Sequence, residues 1–484
     1  MALSANKTKL VCTIGPASAT AERLEQMLQA GMNVARLNFS HGDFAWHGAT
    51  IKALRQASQV TGKRLTIMAD LPGPKIRIGQ LEIEPIELEP GNVFTLTTTE
   101  CLGNEQRVFV NFSRLPLVVN PGDRIFLNDG NIQLQVVKVL ENDVDCHVLV
   151  GGELRSHKGV NFPGIDLGVS AFTEHDRECL KFALENGVDA ISQSFVVNAA
   201  DISAVRNAAS ALGHQPFIIA KIERAGALTN AEEIVKAADG IMIARGDLGV
   251  ETPIEKIAVV QKQLITFANR LGKPVITATQ MLESMINNYR PTRAETTDVA
   301  NAILDGTDCV MLSEESAMGK FPVEAVNVLA KIAAATEPYR THMRAQEILA
   351  SYDAAEDPHL MDLISRNVAQ TVMHLDPTAV IVHTVTGYVA RMVSRFKLPV
   401  WIAAVSPEAA TCCGLQFSYG VFPVHAPEDP EDWEGFAQDW IRNERLTAGI
   451  VVLAEGPSRN NPQANPRLEL FDLSRMGEGG EGDR

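Results

Sequence analysis

Short aliphatic and β-branched runs recur along the first 70 residues, and each closes on polar groups. Leu10–Ile14 ends in Gly15-Pro16, Asn33–Leu37 in Asn38, Phe39, Ser40 and His41, and Arg64–Ala69 in Asp70. Runs of this length bounded by turn residues read as buried strands. Between them, apolar positions fall at helical spacing over about Ala21 to Ala30 and about Trp46 to Gln59, stopping at Gly31 and near Gly62. The order so far is βαβαβ. From Pro72 to about Pro163 the rhythm breaks. Helical periodicity is scarce, and short strands (Val93–Thr97, Arg124–Leu127, Ile132–Val139) alternate with turn signals such as Pro90-Gly91, Pro121-Gly122 and Asp129-Gly130. The βα rhythm then resumes, with strands at Val188–Phe195, Phe217–Glu223, Gly240–Asp247, Pro274–Gln280 and Cys309–Glu314. A helix over about Leu228–Ala238 separates two of them, and Thr292 with Glu295 suits a capping box at the start of another.

Eight strands alternating with helices predict a closed (β/α)8 barrel of the TIM type, interrupted after its third strand by a small all-β lid. The expected boundaries are 1–71 and 167–340 for the barrel and 72–166 for the inserted lid. Ser351–Pro358 reads as a polar loop. Residues 355–475 read as a smaller α/β domain with a mostly parallel sheet, built on Ala379–His383, Val400–Ala404, Gly420–Val424 and Gly449–Leu453. The Gly- and Glu-rich segment Met476–Arg484 has the composition of a disordered tail.

Composition narrows the function classes. A net charge of −16 over 484 residues argues against a general nucleic-acid or anionic-membrane binder, though a local basic pocket for small anions is compatible with it. The seven cysteines include no C-x-x-C pair, so neither a disulfide framework nor a thiolate zinc site is indicated. MALSANKTKL has no apolar signal core, and no apolar run is long enough to span a bilayer, so a cytoplasmic protein is expected.

The chemistry concentrates in Phe217–Glu251, where two apolar strands end in charge: Lys221 and Glu223 after the first, Arg245 and Asp247 after the second. Alternation puts Lys221 and Glu223 on one side of their strand. Glu223 and Asp247, at the ends of neighbouring strands, suit a hard divalent cation, which takes few protein carboxylates and fills its sphere with substrate oxygens. The structural alternative is that the carboxylates bridge to Arg or Lys. Lys221 either stabilises a transferring phosphoryl group or pairs with Glu223. Gly246 lets backbone N–H groups approach a ligand carboxylate. Arg245-Gly246-Asp247 spells the cell-adhesion tripeptide, a match without meaning directly after a buried strand. Arg36 and Arg77 are candidate phosphate binders, and Thr279 carries a hydroxyl to the barrel mouth. His41 and His47 lack metal-ligand spacing and read as loop-capping or packing residues. A Walker A loop, a G-x-G-x-x-G fingerprint and a nucleophile elbow are all missing from the sequence.

At this point the chain resembles the pyruvate kinases. The resemblance lies in Thr8–Ser18 (TKLVCTIGPAS), Gly31–Gly42 (GMNVARLNFSHG), Gly151–Gly164 (GGELRSHKGVNFPG) and Ile219–Glu223 (IAKIE). It continues through Asp239–Glu251 (DGIMIARGDLGVE), Lys273–Met285 (KPVITATQMLESM) and Pro291–Leu312 (PTRAETTDVANAILDGTDCVML). It implies phosphoryl transfer from phosphoenolpyruvate to ADP, giving pyruvate and ATP, with Mg2+ or Mn2+ as cofactor, and a homotetramer responsive to a small phosphorylated effector. It places Glu223 and Asp247 at the divalent metal, and Lys221 opposite the transferring phosphoryl group. Gly246, Asp247 and Thr279 fall at the carboxylate and enolate region. Arg36, Asn38, His41, Arg77 and Lys158 fall around the phosphates and nucleotide, and Ser194 and Glu315 in matching segments. Two other readings compete with it: a barrel enzyme using a phosphoenolpyruvate or pyruvate enolate in aldol or carboxyl chemistry, and a catalytically silent metabolite sensor.

The departures from the family pattern are specific. In Asp70–Arg77 (DLPGPKIR), Lys75 stands where the K+-dependent form carries glutamate, and Leu71 where threonine is common. Asn38, Ser40 and Asp70 keep the remaining K+-site positions. The expectation is that the Lys75 ammonium replaces K+, as in the K+-independent subset of the family; the alternative is a solvated surface charge. Pro72 replaces a common lysine, and Glu314 a common glycine. In the C-terminal domain, Thr384–Ala390 (TVTGYVA) and Pro457–Pro466 lack donors and glycines typical of an effector-phosphate loop, which argues against fructose 1,6-bisphosphate and leaves either another effector or none.

Overall fold

The structure, a computed structural model, describes residues 3–340, 360–456 and 466–474. Ser351–Pro358, most of Pro457–Pro466 and the Met476–Arg484 tail lie outside the described residues.

Eight parallel strands close into the barrel expected. They run Lys9–Thr13, Met32–Asn38, Thr66–Leu71, Ala190–Gln193, Phe217–Ile222, Gly240–Ala244, Val275–Ala278 and Cys309–Leu312. Their outward side chains pack against the surrounding helices, and a second cluster, including Val34, Met68, Ile219 and Met242, fills the shaft. Local sequence sets the helix limits. Ala21–Ala30 starts on the Thr20 cap and stops at Gly31 (φ 117°), and Arg293–Asp305 carries the Thr292/Glu295 capping box.

Four barrel strands end two or more residues sooner than periodicity indicates, among them the eighth, which stops at Leu312. The fourth stops at Gln193, and Phe195 (φ 60°) turns the chain. The sixth stops at Ala244, and Arg245–Glu251 is a short helix with Asp247 in its first turn, where a carboxylate suits the helix dipole. The seventh stops at Ala278 because Thr279 (φ 68°) and Gln280 (φ 54°) are left-handed. The single helix expected over Leu228–Ala238 is two, Ala225–Thr229 and Ala231–Ala237, meeting at Asn230.

The lid has a six-stranded sheet whose edge strands are Val160–Asn161 and Arg107–Phe109. Single bridges from Arg77 to Gly159 and from Ile78 to Val110 join these two edges, closing the sheet into a small barrel around its own core. The C-terminal domain has five strands, in the order Val421–His425, Trp401–Ser406, Ala379–His383, Ile450–Glu455 and Arg467–Asp472. The last is antiparallel and absent from the sequence reading, because its mostly exposed, charged RLELFD pattern shows no buried run.

The two large domains share a floor. Phe417, from the C-terminal domain, is fully buried within the barrel's shaft cluster and stacks on Phe217 at 5.2 Å. Its carbonyl accepts from Cys309 Sγ at 3.2 Å. Beside it, buried Lys397 pairs with buried Asp308 at 2.5 Å, and Asp308 also accepts the Tyr419 N–H at 2.9 Å. Truncating a buried Phe leaves a cavity, so Phe417→Ala is expected to cost about 3–5 kcal/mol, read as a lowered urea midpoint of the intact chain. A midpoint within experimental error of the unmodified chain would contradict this.

Candidate active site

The C-terminal strand ends face the lid across a cleft of about 360 Å³. Beneath it lies one buried charge network. Asp70, on the third strand, is 1% exposed and accepts from Arg36 Nε at 2.9 Å, from Arg36 Nη2 and from Ser192 Oγ at 3.0 Å. Arg36, on the second strand, also donates to Thr13 Oγ1 at 2.9 Å. Lys221, on the fifth, lies 3.3 Å from Asp70, donates to Ser194 Oγ at 2.6 Å and stands 3.4 Å from Glu223 Oε2. Glu223 Oε1 accepts the Phe195 N–H at 2.6 Å, which the left-handed turn at Phe195 delivers. Glu223 Oε2 is buried without a hydrogen-bond partner among the described residues.

Burial opposes the charges of Lys221, Asp70 and Glu223. For Lys221 that opposition is outweighed by Asp70 and Glu223, which hold the ammonium above its ordinary value. For Asp70, burial is overcome by Lys221 and Arg36, and the carboxyl is held low. For Glu223, burial prevails, helped by Asp247, and pushes the carboxyl up to about 7 against the pull of Lys221. The pair is uneven because Lys221 is shared between two carboxylates. Glu223 is therefore the under-compensated member, with a bare oxygen and Asp247 as its acidic neighbour. Those are the donors a hard divalent cation takes. Among the described residues no three His, Cys, Asp or Glu side chains form a group that could hold a metal by themselves.

Thr279 and Gly246 stand behind Asp247 and do not line the cleft themselves. Gly246 N–H donates to Thr279 Oγ1 at 2.7 Å, so this N–H, expected to face a carboxylate, is already engaged. A β-branched residue in the left-handed region is a backbone outlier that costs of order 1–3 kcal/mol, and such strain persists only where the surroundings enforce it.

From the lid side, Lys75, Arg77 and Lys158 line the cleft, as do Asn38 and Ser40 from the barrel. Lys75 is half-buried, and no carboxylate of the described residues pairs with its ammonium. Burial, then Arg77 and Lys221, push it down to about 8 against the pull of Asp70 and Asp247. His41 is exposed and outside the cleft lining, though close enough to Lys75, Arg77 and Arg36 that burial and these cations lower its pKa. His47 is a packing residue, as expected: it stacks on Phe39 at 4.1 Å and donates to the His41 carbonyl. Glu315 is structural too, accepting from Leu282 N–H and Ser313 N–H. Pro72 lines the cleft, and Glu314 opens a short helix on the surface. The sequence reading missed Asp129 and His157, which line the cleft from lid turns at positive φ. It also confined Asp70 to a cation site, although Asp70 is the hub joining Arg36 to Lys221. Arg245 was visible as a strand-end charge and nothing more.

Comparison with known proteins fits this geometry. The family described as "Pyruvate kinase, barrel domain" matches residues 5–326, and "Pyruvate kinase, alpha/beta domain" matches residues 362–457. The chain is 48% identical to the pyruvate kinase of Thermococcus litoralis over 430 residues, covering 89% of this chain and 90% of that one. It is 42% identical to that of Thermotoga maritima over 453 residues, 93% and 96% of the two chains. The crystal structure of a pyruvate kinase from Cryptosporidium parvum superposes with a TM-score of 0.90 at 35% identity, covering 97% of this chain and 96% of that one. With a closed barrel, an inserted lid and a parallel C-terminal sheet all present, and relatives matched almost end to end, the chain belongs to the pyruvate kinase family.

Proposed function

We propose that this phosphotransferase moves the phosphoryl group of phosphoenolpyruvate to ADP, releasing pyruvate and ATP. The observation that carries the reading is the buried Arg36–Asp70–Lys221–Glu223 network at the foot of a cleft whose lid side is basic. Phosphoryl transfer needs charge neutralisation and alignment more than covalent help from the protein. Arg36 and Lys221 meet the phosphoryl oxygens, and Asp70 keeps both cations extended toward them. Glu223 and Asp247 hold Mg2+ or Mn2+, which when bound neutralises charge on the substrate oxygens. Gly246 fixes Thr279, and the N–H groups following Gly246 meet the substrate carboxylate. Asn38, His41, Arg77 and Lys158 surround the nucleotide phosphates, and closure of the lid removes water. The test is ADP-dependent pyruvate formation from phosphoenolpyruvate with Mg2+; absence of ATP under every ionic condition would overturn the reading.

Lys75, facing the cleft with no carboxylate partner among the described residues, is proposed to supply the charge that K+ supplies elsewhere in the family, beside Asn38, Ser40 and Asp70. Two expected outcomes follow. Lys75→Glu should lower K+-free activity by about tenfold or more and restore it with K+; a tenfold change corresponds to about 1.4 kcal/mol. In K+-free buffer, kcat/KM of the unmodified enzyme should fall as pH rises through about 8, because the free enzyme loses the Lys75 charge there. A K+ requirement at neutral pH, or a profile flat to pH 9.5, would refute the assignment.

The remaining assignments are a homotetramer, testable by light scattering, and a cytoplasmic location, in keeping with seven free thiols. Among the described residues no helix is long and apolar enough to cross a membrane. A small phosphorylated effector other than fructose 1,6-bisphosphate is proposed for the cavity of about 580 Å³ between the two large domains, whose walls include the cationic Arg206 and Arg391 and His214. Calorimetric titration with sugar monophosphates and AMP tests it.

A further inference from the structure

Asp247 of the Arg245-Gly246-Asp247 run lines the cleft, and Gly246 binds the Thr279 hydroxyl. Arg245 has no part in the proposed chemistry, yet its side chain is only 10% exposed and its guanidinium is fully engaged. Nη2 donates to the Thr279 carbonyl at 2.8 Å, and Nε to the Ala278 carbonyl at 3.3 Å. Nη1 donates to Asp298 Oδ1 at 2.8 Å and Gln261 Oε1 at 3.3 Å, and Nη2 pairs with Asp298 Oδ2 at 2.7 Å. We infer that Arg245, braced by Asp298, is a positioning residue that enforces the left-handed backbone at Thr279 and so fixes the place of its hydroxyl, which accepts from the Gly246 N–H and donates to the Ala278 carbonyl at 2.6 Å beside the cleft.

The inference rests on the reading of the cleft as a phosphoenolpyruvate site. Its physical basis is local. Thr279 and Gln280 are consecutive non-glycine residues at positive φ, and Thr279 is β-branched, the least tolerant type there. Left alone, the chain would relax toward extended geometry, turning the hydroxyl away from Gly246. Arg245 opposes this by holding the carbonyls on both sides of the Thr279 α-carbon. The next residue, Gly246, holds the hydroxyl, so two adjacent residues of the sixth strand's exit clamp three atoms of the seventh strand's exit. Lysine cannot replace the guanidinium, because a single ammonium nitrogen cannot reach both carbonyls and Asp298 together, whereas the planar fork does.

The test is a double-mutant cycle on the full-length enzyme with Arg245→Lys and Thr279→Ala. A misplacement of this kind costs up to about 100-fold. Arg245→Lys should therefore lower kcat by about 10- to 100-fold while KM for phosphoenolpyruvate stays within about 3-fold. Exchange of pyruvate methyl protons with deuterated solvent, which reports on the enolate step alone, should fall by the same factor. Groups acting through one another are non-additive, so the double variant should be no more than about 2-fold slower than Thr279→Ala alone. Multiplying losses would overturn the inference, as would a change confined to KM. Should Arg245→Lys fail to fold, the cycle is run with Asp298→Asn, and multiplying losses there overturn it equally. Failure of the underlying reading looks different: the unmodified enzyme would then make no ATP.

Discussion

Replacing Lys221 with methionine is expected to lower kcat by about 10³- to 10⁵-fold, the range seen when a cation facing a transferring phosphoryl group is removed. That is about 4–7 kcal/mol of transition-state stabilisation. KM for phosphoenolpyruvate should move only a few-fold, because Arg36 remains to bind the ground-state phosphate. The geometry explains why the loss should be kinetic rather than structural. Asp70 would keep its bonds from Arg36 and Ser192, and Glu223 its bond from Phe195, so no carboxylate of the network is left without a donor. Methionine retains the length and apolar stem of lysine. Steady-state kinetics with circular dichroism on the same sample separate the two effects. A loss below about tenfold would remove Lys221 from its proposed role, since a tenfold loss is worth only about 1.4 kcal/mol.

Glu223→Gln is the second large effect expected. The amide preserves shape and can still accept the Phe195 N–H. It cannot offer two anionic oxygens, and its amino group would turn a donor toward Lys221, which stands 3.4 Å from Oε2. Losing one of two carboxylates should weaken Mn2+ binding by about 100-fold or more, since loss of an outer-shell partner alone costs 10- to 100-fold. Activity should fall in parallel and recover in part at high Mn2+. Electron paramagnetic resonance titration of free Mn2+ measures this without reference to turnover. Unchanged Mn2+ affinity would assign the metal elsewhere and leave Glu223 as a partner of Lys221.

How much of this was legible in the sequence differs by element. The barrel strands were, because each is a buried aliphatic run with polar residues at its C-terminal end, and their order fixed the lid as an insertion. Lys221 and Glu223 were legible from alternation alone. Strand ends were not: Ala244 and Ala278 are followed by residues whose backbone is set by contacts between neighbouring strands, not by their own propensities. The Arg245 grip on Thr279 is such a contact, 34 residues apart in the chain. Asp70 as hub was hidden for the same reason, since its partners lie on three other strands. Arg467–Asp472 was invisible because an edge strand with exposed charges carries no hydrophobic signal.

Phe417 has a consequence for the history of the chain. The barrel is often treated as a portable scaffold, able to shed or exchange neighbouring modules. Here the shaft is stoppered by a ring that belongs to another domain, encoded more than 100 residues after the last barrel strand. A deletion that removed the C-terminal domain would uncork an oily channel to water and leave Asp308 without its buried lysine. An exchange between relatives would succeed only if stopper and shaft were inherited together. The unit that selection can keep or discard is therefore the pair.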